Sequence, residues 1–175
     1  MPSTPLSEHM DGTADELAGV VDLFGGLTRG ELERALAEIA FRADGQSVDD
    51  TAMDGAIDEA IDSYALIRYD APTVTDVEDP LLVSGPTAFP RTPDHAEDVP
   101  HILGIEPRRL DRTALGAAVK ARYEHDVDRA LESPDELDPD HLIDIGYDID
   151  AWAPVDTSAE RRRLAQAIES DAETG

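Results

Sequence analysis

The apolar residues of the first half of the chain change period part-way along, and that change constrains the fold more than anything else in the sequence. From Thr13, residues Leu17, Val20, Val21 and Phe24 recur at the spacing of one helical face. Gly25-Gly26 stops that helix. Thr28 and Glu31 stand at capping-box spacing, each able to cover a free backbone N–H at the start of a second helix. Its stripe is Leu32, Ala35, Leu36, Ile39 and Ala40. A third helix is expected at about 49–64, with Ala52, Met53, Ala56, Ile57, Ala60, Ile61 and Tyr64 on one side. The pattern then breaks into two short apolar runs, 65–69 and 81–83, separated by an acidic stretch containing Pro72 and Pro80. Such runs predict a β-hairpin. Three helices followed by a hairpin is the element order of a winged helix.

Beyond the hairpin, residues 85–100 hold Pro86, Pro90, Pro93 and Pro100 without a period, and predict an ordered linker pinned by Phe89. Asp111 is placed to cap a long helix ending before Ser133-Pro134, with Leu115, Val119, Tyr123, Val127 and Ala130 inward. An apolar turn at 142–145 is expected next, leading into 147–152. Thr157 and Glu160 offer a second capping box for a last helix to about Glu169. The fold expected is therefore α+β and mostly helical. A winged-helix-like unit at 13–85 is joined by a Pro-rich ordered linker (86–100) to a helical unit at 101–170, on which it packs. Disordered ends are expected at 1–12 and 171–175.

Charge says where such a chain works. There are 40 Asp and Glu against 14 Lys and Arg, and Lys120 is the single lysine. Strong acidity with few aromatics often marks disorder, but here 41% of residues are hydrophobic and periodically placed. A folded chain with net charge -26 repels itself in dilute buffer. At 1 M salt the Debye length falls to about 3 Å, and that repulsion is screened. Short carboxylates with almost no lysine suit the molar potassium of a halophilic archaeal cytoplasm. No stretch approaches the length of a membrane span, and the opening residues lack a secretory pattern. The absence of cysteine excludes disulfides, thiol nucleophiles and cysteine-ligated metals.

Residues 16–24 (ELAGVVDLF) with 27–29 (LTR), 63–66 (SYAL), 84–90 (SGPTAFP), 98–103 (DVPHIL) and 147–156 (YDIDAWAPVD) resemble an uncharacterised family of small haloarchaeal proteins. The resemblance spans about 13–165. It implies source and compartment, and carries over no catalytic residue.

The catalytic patterns are weak. Ser84 lacks the Gly-x-Ser-x-Gly frame of a nucleophile elbow, and Gly25-Gly26-Leu27-Thr28 lacks a phosphate-loop lysine. His95, Asp98 and His101 share a loop, but loop histidines beside carboxylates are background in so acidic a chain. Neither an enzyme nor a cofactor or metal is expected. The third helix would be the DNA-reading element of a winged helix. It carries Asp49, Asp50, Asp54, Asp58, Glu59 and Asp62 and none of the Arg, Lys, Asn or Gln that contact phosphates and bases. The candidate interaction residues are Arg108, Arg109, Arg112, Arg161, Arg162, Arg163 and Trp152. Each arginine either holds internal carboxylates or anchors an acidic partner. The leading expectation is a protein-interaction or regulatory module with another protein as partner. A transcriptional regulator using an unconventional basic face is the rival, and a small enzyme ranks third.

Overall fold

The computed structural model describes residues 6–44, 49–70 and 78–174. The chain is α+β and mostly helical. Its elements are α1 (Leu6–Phe24), β1 (Leu27–Thr28), α2 (Arg29–Asp44), α3 (Asp50–Asp62), β2 (Leu66–Tyr69), β3 (Leu81–Ser84), α4 (Val99–Leu103), α5 (Arg112–Glu132), α6 (Pro139–Trp152) and α7 (Ser158–Thr174). They fall into two compact units, Met1–Leu110 and Asp111–Gly175.

In the first unit, α1 ends where Gly25 turns the chain at φ +75. A side chain there would run into the Arg108 carbonyl, so only glycine suits the turn. The expected capping box forms: the Thr28 N–H donates to Glu31 at 2.9 Å, and the Glu31 N–H to the Thr28 hydroxyl at 3.2 Å. Asp49 caps α3. That helix ends in a Schellman turn, in which the Ala65 N–H reaches the Ala60 carbonyl and the Tyr64 N–H that of Ile61. The left-handed position, normally glycine's, is held by Tyr64 at φ 67. The hairpin pairs Leu66 with Ser84 through Tyr69 with Leu81, as the β-branched runs predict. β1 adds to the other edge of β3, giving the order β1-β3-β2. Leu17, Val20, Phe24, Leu27, Leu32, Ile57 and Leu66 meet in the core. Leu36 and Ile61 pack against it half-buried.

Several expectations are corrected. α1 begins at Leu6, inside the terminus expected to be disordered; residues 1–5 of that terminus lie outside the described residues. Most of the acidic hairpin tip, 71–77, lies outside them too. Phe89 does not pin the Pro-rich stretch, being 81% exposed. Backbone bonds do that instead. The N–H groups of Gly85, Thr87 and Arg91 donate to the carbonyls of Ala65, Tyr64 and Asp15, and the Phe89 N–H donates to the Asp15 carboxylate. Val99 enters the first core, so the division falls at Leu110 rather than within 86–100.

The second unit is built of α5, α6 and α7. Asp111 caps α5 as expected, and Ser133 ends it. The turn expected at 142–145 is part of a continuous helix. Asp138 caps it, Pro139 opens it, and Leu142, Ile145, Gly146 and Ile149 form its buried stripe. The second capping box is replaced by longer-range bonds: Thr157 donates its hydroxyl to the Gly146 carbonyl and its N–H to Asp150. α7 continues to Thr174, through the expected tail.

Candidate functional site

Arg108 is the most constrained of the candidate arginines. The turn at Gly25-Gly26 and the start of α2 bring together a carbonyl and a carboxylate, and the segment before α5 lays Arg108 between them. Its guanidinium meets both Glu31 oxygens, at 2.8 and 3.0 Å, and the Gly26 carbonyl at 2.9 Å. Its backbone N–H donates to Phe24 at 2.7 Å. Burial works against the charged Glu31. The hydrogen bonds from Arg108 and Thr28 and the attraction of the guanidinium outweigh it, holding the carboxyl below its ordinary range. Arg108 is therefore a clamp inside the first unit. Arg109, the next residue, is exposed.

In the second unit, Arg112 donates to the Trp152 carbonyl at 2.8 Å and lies 4.7 Å from the centre of its ring. Trp152 is half-buried. Arg161 binds Asp150 at 2.7 Å and sits over the Tyr147 ring at 4.0 Å. Arg163 reaches Asp128 at 2.8 Å. Arg162 is exposed. Four of the six arginines thus bind within their own unit.

Sequence reasoning missed Arg29. It holds Asp58 at 2.9 Å and the Asp54 carbonyl at 3.1 Å, with Glu33 at 3.7 Å. Part of the acidic face of α3 is thereby tied to the start of α2. The sparseness of basic residues in the first half of the chain was the available signal. Burial, with a hydrogen bond and repulsion from Asp54, pushes Glu33 up.

The other missed feature is a groove of about 290 Å³ in the first unit, formed by α1, α2, α3 and Pro93. Leu17 and Met53 are its floor; Leu36, Ile39, Ala40, Ala52 and Ala56 are its walls. The apolar stripes of α2 and α3 are wider than the core they cover. Leu36, Ile39 and Ala56 remain half-buried and Ala52 is exposed. The charged residue of the lining is Glu16.

His95 and His101 are exposed, and among the described residues no group of three or more His, Asp or Glu is gathered for a metal. Among those residues, too, no helix is long and apolar enough to cross a membrane. The fold and its internally bonded arginines define a small, mostly helical α+β chain with an apolar groove that no described residue covers. Residues 15–169 match the profile of a family of unknown function, DUF7109, and the chain belongs to that family. No curated protein and no solved structure matches it.

Proposed function

We propose that the chain is a non-enzymatic protein-interaction or regulatory module working in a halophilic, haloarchaeal cytoplasm, with a winged-helix-like N-terminal unit. The order α1, β1, α2, α3, β2, β3, with β3 between β1 and β2, supports the winged-helix reading. The observation that carries the functional reading is the disposition of charge and apolar surface. The guanidiniums of Arg108 and Arg161, which a phosphate-binding face would need, are held in part-buried ion pairs, and those of Arg112 and Arg163, though exposed, bond within their own unit. Where a DNA-reading helix needs donors, α3 exposes Asp50, Asp54, Asp58, Glu59 and Asp62. No described residue covers the apolar groove.

The rival, a DNA-binding regulator, rests on the winged order and on exposed Arg109 and Arg162. A gel shift in molar KCl decides between them. No shift is expected, and affinity purification in the same salt is expected to recover a protein partner. A sequence-selective shift that disappears in an Arg109→Gln/Arg162→Gln variant with unchanged melting overturns the reading.

The halophilic part has its own test. Screening of a net charge of -26 predicts that Tm rises between about 0.1 M and 2 M KCl. A Tm that is flat or falls across the series contradicts it.

A further inference from the structure

We propose that the groove between α1, α2 and α3 takes the apolar face of a basic amphipathic helix from another protein. This rests on the interaction-module reading and specifies its partner. The volume, about 290 Å³, lies at the lower edge of small-molecule pockets, which run to about 300–1,000 Å³. Among the described residues, Thr13 and Glu16 are the polar members of its lining, a poor set for orienting a metabolite. A floor of Leu17 and Met53 with walls of Leu36 and Ile39 suits aliphatic side chains. A helix docking in such a groove presents them at i, i+3, i+4 and i+7.

Charge chooses among possible occupants. Glu16 lies in the wall. Exposed carboxylates follow the lining residues along the chain: Asp49 and Asp50 just before Ala52, Glu59 a turn after Ala56, and Asp94 beside Pro93. No described lining residue is basic. Net-charge repulsion is screened in molar salt, but at contact a second copy, with its carboxylate excess, would set like charge against these carboxylates, whereas Lys or Arg flanking the apolar face of a helix would pair with them. Complementary charge at contact distance fixes partner choice and register.

The test uses a fluorescein-labelled synthetic helix of Leu and Lys, with leucines at i, i+3, i+4 and i+7. Anisotropy is followed across a KCl series, and methyl shifts are followed by NMR. Binding is expected to move the methyls of Leu17, Leu36, Ile39 and Met53. Replacing the leucines by serine, or the lysines by glutamate, is expected to weaken it at least tenfold. Ala52 is exposed, so Ala52→Trp plugs the groove without entering the core, and is expected to weaken binding at least tenfold at an unchanged Tm. If that variant melts early, Ala40→Trp plugs the facing wall instead.

Binding that survives both plugs, or that leaves the groove methyls unmoved, overturns the proposal. So does equal binding of the serine peptide, which would mark charge attraction alone. A wild-type dimer turned monomeric by the plug also overturns it, because the groove would then be a self-interface. If affinity purification recovers a protein whose binding ignores the plug, the groove proposal fails while the interaction reading stands. Recovery of no protein, together with a DNA shift, ends both.

Discussion

Glu31→Gln lowers the stability of the chain by about 3–5 kcal/mol, the usual loss when one partner of a buried ion pair is removed. The side chains of Arg108 and Glu31 are 4% and 11% exposed, so a guanidinium that loses its two-oxygen carboxylate partner cannot readily turn to water. The substitution also weakens the bond that caps α2, since the same carboxylate accepts from Thr28. Arg108→Lys is expected to rescue little, because an ammonium cannot span both carboxylate oxygens and the Gly26 carbonyl. Urea midpoints read at constant m-value measure each loss.

The same pair carries a pH signature. The Glu31 carboxyl is held below its ordinary value of 4.5. Its stabilisation is complete above that value and disappears as pH falls through the folded-state pKa. The gap between wild type and Glu31→Gln should therefore be widest near neutrality and close under acid, where protonated Glu31 resembles glutamine. A gap under about 1 kcal/mol at neutral pH, in the range of an exposed pair, would contradict the clamp. So would a gap that ignores pH.

What could be read from the sequence follows the range of the interactions involved. The Thr28–Glu31 capping box and the Asp111 cap depend on near neighbours, and the pairing of 66–69 with 81–84 on two successive apolar runs; all form. β1 was illegible because two residues carry no period; Leu27 and Thr28 are a strand only through Leu82 and Leu81. α6 was misread because Leu142, Ile143 and Ile145 crowd together and read as a short apolar turn, while the helical stripe through Leu142, Ile145, Gly146 and Ile149 runs on past them. For the candidate site, the arginines could be singled out but their partners could not. Glu31 and Arg108 are separated by 77 positions, and no spacing rule connects them. The groove was hidden for the opposite reason. Leu36, Ile39, Ala40, Ala52 and Ala56 fit their helical stripes so well that they read as core, and only packing reveals that nothing described covers them.

Tyr123→Ala should cost the second unit about 3–5 kcal/mol, the loss typical when a buried aromatic is truncated. Tyr123 is fully buried on α5, and its hydroxyl donates to the Leu142 carbonyl at 2.6 Å. α6 comes close enough because it has glycine at 146: a β-carbon there would stand 2.5 Å from the Tyr123 oxygen. Tyr123→Phe keeps the ring and loses the hydrogen bond, so it should cost only about 1 kcal/mol at neutral pH. Alkali separates packing from polarity. Burial pushes the Tyr123 phenol above its ordinary value of 10.0, with Arg161 opposing the shift and Glu160 and Asp150 adding to it. Above about pH 10 the unfolded phenol ionises while the folded one holds its proton, so the contribution of Tyr123 to stability falls as pH rises. The phenylalanine variant lacks that group. Its deficit should shrink steadily above pH 10, whereas a parallel alkaline loss in wild type and variant would place the hydroxyl in contact with water.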